Sequence, residues 1–237
     1  MLVPTRHMSH PIRNTFYNRY LYADLPDKII SASEAIRLEM IKNNRVPGDK
    51  IVSIPTGINL AQFHRTRYNR NELRRTLGLQ ENEVVIGLIA LLIEYKGHKY
   101  LIEAIEKIRN HQPPIKVLII GDGLLSDEIT QMIKEKRLEQ QIHLLGFRED
   151  VPEILTAIDL TVLPSIGTEG VPQALVQSAA MELPIIATKV GAVSEIVHDG
   201  VNGYLIPPRN SETLAEKITE LVAHLTSGRK WELPVEK

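Results

Sequence analysis

Five short apolar runs, each followed by a helical or loop pattern, constrain this chain more than any other feature: residues 84–93, 115–120, 141–145, 160–163 and 184–188. They are near-continuous in Val, Ile and Leu rather than alternating, which predicts strands covered on both faces and hence a parallel sheet. Between and after them, Leu101, Ile102, Ile105 and Ile108, and then Leu214, Ile218, Leu221, Val222 and Leu225, repeat at helical spacing. The alternation predicts an α/β fold with a doubly wound parallel sheet. Gly121, Gly146, Pro164 and Gly191 punctuate the strand exits, and ligands of open α/β sheets sit at that edge.

The length of 237 residues allows one large domain, or one domain with an attached piece. Residues 1–54 carry eight Lys/Arg against five Asp/Glu, whereas the remainder carries 20 against 24. That first segment offers two strand candidates, 1–5 and 28–31, with helical patterns at 14–22 and 33–43, too little for a sheet of its own. Turn signals at Pro47-Gly48 and Pro55-Thr56-Gly57 place a boundary near residue 55. The expected organisation is 1–54 as the tail of another domain with a linker, 55–226 as the main domain, and 227–237 as a tail. The arginines at 65, 67, 70, 74 and 75 are expected to form a solvated helical face.

A net charge of −1, three Phe and one Trp argue against a nucleic-acid partner. Zero cysteines exclude disulfides and thiolate metal sites and are compatible with the cytoplasm, and eight scattered His include no HExxH pair, so no metal site is expected. The longest apolar run, 84–93, is about half of a membrane span. The polar residues Thr5-Arg6-His7 interrupt any signal-peptide core.

The candidate chemistry clusters at strand exits. The stretch Ser165 to Leu175 follows the strand at 160–163 and is expected to open a helix running to about Met181, with the Gly170 and Val171 N–H groups unpaired in its first turn and available to a phosphate. Glu169 beside such an anion site fits a contact to sugar hydroxyls, and fits a helix cap equally well. Gln177, eight residues on, falls near the same helical face. Lys96 follows the first long run and is placed to reach a diphosphate; an ordinary surface lysine has the same spacing. Gly121-Asp122-Gly123 is half of a dinucleotide fingerprint, but Ser126 stands where the third Gly belongs, which weakens a nicotinamide site. His7 follows a candidate strand, where an imidazole serves either proton transfer or structure.

Taken in order, Ser31-Ala32-Ser33-Glu34, Pro55-Thr56-Gly57, Tyr95-Lys96-Gly97-His98, Ile119-Ile120-Gly121-Asp122-Gly123, Leu145-Gly146-Phe147, Glu169-Gly170-Val171-Pro172-Gln173-Ala174-Leu175 and Val190-Gly191-Ala192-Val193-Ser194-Glu195 resemble the retaining glycosyltransferases of family four. The resemblance implies the GT-B architecture of two facing Rossmann-like domains. It implies a nucleotide-diphosphate sugar as donor and a glycan or lipid-linked acceptor, with no cofactor and no metal. It assigns Lys96 to the diphosphate, the Glu169–Val171 loop to sugar and phosphates, and Gln177 to the ribose. Gly121 and the backbone around Phe147-Arg148 fall where the nucleotide is received, and His7 matches a residue with a proposed catalytic role. A cytoplasmic protein is implied, with room for peripheral contact at the inner face of the membrane through a first domain of which most is absent here.

Three departures accompany the resemblance. Gln177 replaces a Glu, Leu91 or Ile93 stands where the family has an Arg, and the chain matches only the end of the first domain. The Arg-to-apolar change would weaken a diphosphate by about 1.5–3 kcal/mol, tenfold to a hundredfold in affinity. The leading expectation is a partial glycosyltransferase; the alternative is a catalytically silent nucleotide-sugar-binding or interaction module.

Overall fold

The computed structural model describes residues 1–7 and 12–227. The first part of the chain runs through β1 (Thr5–Arg6), α1 (Phe16–Arg19), β2 (Ile29–Ser31), α2 (Glu34–Asn44) and β3 (Ile51–Ser53). The three strands pair in parallel in the order β1-β2-β3. This corrects the expectation that residues 1–54 hold too little for a sheet, and moves the first strand from 1–5 to Thr5–Arg6. Strands of two or three residues are too short to show periodicity, and β3 lies between turn signals. Ser33 starts α2 by accepting the Ile36 N–H at 3.2 Å. Arg45, left-handed at φ 53°, ends it. Ile29, Ile36, Met40, Val46 and Ile51 form a small core of their own.

The second part comprises α3 (Arg70–Thr76), β4 (Val84–Ile89), α4 (His98–Lys107), β5 (Ile115–Ile120), α5 (Ser126–Glu135), β6 (Ile142–Gly146), α6 (Val151–Ala157), β7 (Leu160–Leu163), α7 (Gln173–Ala180), β8 (Ile185–Thr188), β9 (Gly203–Ile206) and α8 (Ser211–Thr226). Its strands are all parallel, in the order β6-β5-β4-β7-β8-β9. The five apolar runs supply β4 to β8, and β9 is a sixth strand whose four residues begin with a glycine and carry little signal. The first run is strand only as far as Ile89; beyond it Ala90 N–H donates to the Ile120 carbonyl at 3.0 Å and Leu92 N–H to the Asp122 carbonyl at 2.9 Å, so residues 90–92 run on beside the exit of β5. Successive residues of β4 face opposite layers: Ile86 and Leu88 pack with Leu101, Ile105, Ile133 and Ile218 of α4, α5 and α8, while Val85 packs with Leu73, Ile154 and Leu155 of α3 and α6. Both faces are therefore covered, as the continuous apolar pattern requires.

Two of the arginines expected on a solvated face are not there. Arg70 and Arg74, one turn apart on α3, converge on Asp159 at the start of β7: Arg70 Nη2 lies 2.6 Å from Oδ1 and Arg74 Nη1 3.2 Å from Oδ2. Val85 N–H donates to Oδ2 at 2.8 Å, and Arg74 also donates to the carbonyls of Gln80 and Glu83. A run of arginines does not disclose that a half-buried strand-start carboxylate 85 residues beyond Arg74 lies beside the helix.

Candidate functional site

The strand order reverses between β4 and β7. From β4 the chain winds outward to β6, then returns to the other side for β7, leaving a crevice at the carboxyl ends of these two strands, where α/β folds of this kind bind ligands. The loops leaving β4 and β7 are stitched together over that point: Ile166 N–H donates to the Tyr95 carbonyl at 2.7 Å. Gly97 has φ 71°, and a Cβ there would stand 2.0 Å from the Pro164 carbonyl oxygen, so only glycine lets the turn before α4 lie on the end of β7.

This stitching brings Lys96 and Glu169 together. Lys96 Nζ lies 2.7 Å from Glu169 Oε1, and Ser165 Oγ donates to the same oxygen at 2.5 Å. Glu169 is 5% exposed. The Lys96 ammonium also lies 5.1 Å from the centre of the Tyr95 ring. On the far side, Ala192 N–H donates to the Glu169 carbonyl at 3.0 Å. A buried ion pair adds little stability, because desolvating both charges offsets their attraction; at a crevice it stores a desolvated ammonium and a desolvated carboxylate that a ligand can separate. A groove of about 460 Å³ lies alongside, lined by Ile93, Glu94, Tyr95, Ile166, Gly167 and Arg209.

The structure corrects the local geometry around this pair. The helix after β7 begins at Gln173, with Pro172 at its N-cap, so Glu169, Gly170 and Val171 lie in the preceding loop rather than in a first turn. Among the described residues, no backbone carbonyl accepts the N–H of Gly170 or Val171. Glu169 is not a cap of α7, since its carboxylate is engaged by Lys96 and Ser165. The helical rotation argued to align Glu169 with Gln177 therefore does not apply; Gln177 is half-buried on α7.

His7 is exposed and follows β1. Its carbonyl oxygen would lie 2.9 Å from a Cβ on Gly170, which puts the first sheet directly against the Glu169 loop. Gly121, at the end of β5, donates its N–H to the Gly146 carbonyl at 2.9 Å and packs on Ala90. Arg148 stands apart from the pair, beyond β6, where its guanidinium is 2.7 Å from Asp150 Oδ1. That contact raises the Arg148 pKa and lowers that of Asp150. Of the two apolar residues weighed at the position of an expected Arg, Leu91 is 59% exposed and Ile93 is half-buried. Among the described residues, no group of three or more His, Asp or Glu is arranged to hold a metal ion.

Two residues escaped the sequence reading. Ser165 is legible in the sequence only as the first residue of the loop after the strand at 160–163, with no role of its own. His98, the first residue of α4, is 2% exposed with neither ring nitrogen hydrogen-bonded. Burial, and then the Lys96 charge, push its pKa down to about 4, so the imidazole beneath the site is neutral.

The family model of glycosyl transferases group 1 matches residues 69–231. The chain belongs to this family. The group 1 chain is 33% identical over 170 residues to the UDP-Gal:alpha-D-GlcNAc-diphosphoundecaprenol alpha-1,3-galactosyltransferase of Escherichia coli, covering 70% of this chain and 43% of that protein. Its fold is that of the GT-B glycosyltransferases: Anabaena HepE, solved in complex with UDP, superposes with a TM-score of 0.85 at 25% identity over 98% of this chain and 65% of that one. The C-terminal domain of the Francisella tularensis group 1 protein LpcC aligns with a TM-score of 0.65 at 27% identity, covering 74% of this chain and 92% of that domain. The group 1 chain spans about half the length of the curated relatives it matches.

Proposed function

We propose that residues 55–226 are the donor-binding domain of a retaining glycosyltransferase, which moves a sugar from a nucleotide diphosphate to a glycan or lipid-linked acceptor. The observation that carries the proposal is the Lys96–Glu169 pair at the switch point between β4 and β7. The boundary near residue 55 is supported by packing: Ile58, Phe63 and Leu73 belong to the core of the second sheet, whereas Ile51 belongs to that of the first. Nucleotide binding is supported by HepE, whose structure holds UDP.

In this reading the diphosphate takes the Lys96 ammonium away from Glu169. The freed carboxylate, still oriented by Ser165, accepts hydrogen bonds from sugar hydroxyls and offsets positive charge as the bond to the anomeric carbon breaks. The departing diphosphate is stabilised by Lys96 and by the N–H groups of Gly170 and Val171, electrostatic help that was in place before reaction. His7 faces the same loop from the first sheet, and Gln177 on α7 receives the ribose. Gly121 and the Arg148 backbone line the path to the base. The acceptor must be held in line with the donor, and that orientation supplies much of the rate.

Leu91 and Ile93 favour a second reading, a module that binds a nucleotide sugar without transfer, because an apolar residue at either place leaves one ammonium where the resemblance implies two cations. Calorimetric titration of the folded chain with nucleoside diphosphates, followed by a transfer assay, separates the readings. Saturable binding with sugar transfer supports the first and binding without transfer the second. No saturable binding to any nucleoside diphosphate overturns both.

A further inference from the structure

Residues 191–195 connect the Glu169 loop to the first sheet through specific hydrogen bonds. At one end, Ala192 N–H holds the Glu169 carbonyl at 3.0 Å. Gly191, at φ 53°, lies so close that a Cβ would be 1.9 Å from the same oxygen. At the other end, Glu195 closes a short 3-10 turn (Val193–Glu195) and extends its carboxylate to the start of α2. Its Oε1 accepts the Ala35 N–H at 2.8 Å and its Oε2 the Glu34 N–H at 3.1 Å. These amides open an eleven-residue helix and have no carbonyl of their own turn to bond. Ser33 accepts the third, from Ile36, so the cap of α2 is shared between its own serine and a carboxylate 160 residues away.

The contacts then return to their starting point. β2 ends just before Ser33 and is bonded to β1 through Ile30 N–H to the Pro4 carbonyl at 3.0 Å and Ala32 N–H to the Arg6 carbonyl at 2.9 Å. His7 follows β1 directly, with its carbonyl against Gly170, the neighbour of Glu169. The circuit is Glu169, Ala192, Glu195, α2, β2, β1, His7 and back to the Glu169 loop.

We propose that Glu195 is a positioning residue: its carboxylate at the start of α2 sets where the first sheet, and with it His7, stands against the loop of Glu169 and Gly170. An anion suits that place because the amides at a helix start carry partial positive charge. Glu195 is solvent-exposed, so its removal hands the two amides to water and loosens the register without opening a core. The inference rests on the donor-binding reading for its catalytic consequence, but the geometric tie is measurable without it.

The test is amide hydrogen exchange on the full chain with Glu195→Ala and Glu195→Gln, with and without uridine diphosphate as probe, alongside turnover of a nucleotide sugar. In Glu195→Ala, exchange at Glu34 and Ala35 is expected to accelerate about fivefold to thirtyfold, the equivalent of one lost cap. Ala192, whose N–H holds the Glu169 carbonyl, and Ala32, whose N–H bonds β1, accelerate with them, while β4, β5 and the thermal midpoint stay unchanged. Turnover falls about tenfold with donor affinity altered less than about twofold, a loss confined to kcat. Glu195→Gln, which keeps an acceptor oxygen, recovers part of both effects. Acceleration confined to residues 34–35 makes Glu195 a local cap and overturns the inference, as does donor affinity falling in step with kcat. A wild-type chain without turnover counts against glycosyl transfer by this chain, and the exchange pattern alone then decides the positioning role.

Discussion

Lys96 and His98 are two residues apart, yet one is a cation at the crevice and the other a neutral ring beneath it. Substituting Lys96→Met removes the ammonium that the diphosphate would claim and leaves Glu169 buried with Ser165 as its remaining partner. Nucleoside diphosphate affinity is then expected to fall tenfold to a hundredfold, about 1.5–3 kcal/mol, read by calorimetry; unchanged affinity would remove Lys96 from the donor site. His98 governs stability instead. Its pKa is about 4 in the fold against 6.5 as a free side chain, so between those values the unfolded chain binds a proton that the folded chain refuses. The contribution is complete above pH 6.5 and is lost as pH falls toward 4, reaching about 3 kcal/mol. Denaturant unfolding of wild type and His98→Leu at pH 7 and pH 4.5 should show the wild type losing more stability on acidification; equal losses would contradict the assignment.

At the scale of elements, the clamp of Arg70 and Arg74 on Asp159 fastens α3 to the start of β7 and, through the Val85 N–H, to β4. Replacing Asp159→Ala leaves Arg74, 7% exposed at its side chain, without a counter-charge. Removing one member of such a buried cluster costs about 3 kcal/mol, and a shift of the unfolding midpoint in urea with an unchanged slope is the expected signature. Because β4 and β7 border the crevice, the variant should still bind nucleoside diphosphate at low temperature; loss of binding in folded protein would mean that the clamp shapes the site itself. Little of this was legible in advance. The α/β alternation marks where helices and strands lie, but charged residues on a helix read as solvated unless their partner is known, and Asp159 reaches them only after the sheet is assembled.

At the scale of the molecule, the two sheets differ in what holds them. The second packs helices on both faces, while the first rests on a cluster of seven buried residues with a few half-buried neighbours. A three-stranded sheet with so small a core has little stability of its own. Hydrogen exchange should therefore show β1 to β3 opening at lower free energy than β4, β5 and β7, and unfolding followed by a probe in each sheet should not coincide. Coincident transitions would show that the contacts between the sheets, those of Glu195 and Gly170 among them, bind the chain into one cooperative unit. Exposed Phe16, Tyr17 and Tyr20 lie together on one helical stretch of the first part and form an apolar patch of the kind that promotes association.

Local composition determined the parallel sheet, because strands buried on both faces must be continuously apolar, and it determined the loops that carry Lys96, Glu169 and Gly170, because glycine and proline break the chain at strand exits. It did not determine which loops meet. That Lys96 pairs with Glu169 follows from the reversal of strand order between β4 and β7; that Gly170 lies outside α7 follows from Pro172 starting the helix late. That Glu195 caps a helix 160 residues away follows from one sheet lying against the other. Periodicity reports a residue's immediate neighbours, whereas hydrogen bonds between distant segments exist only once packing has removed the alternatives.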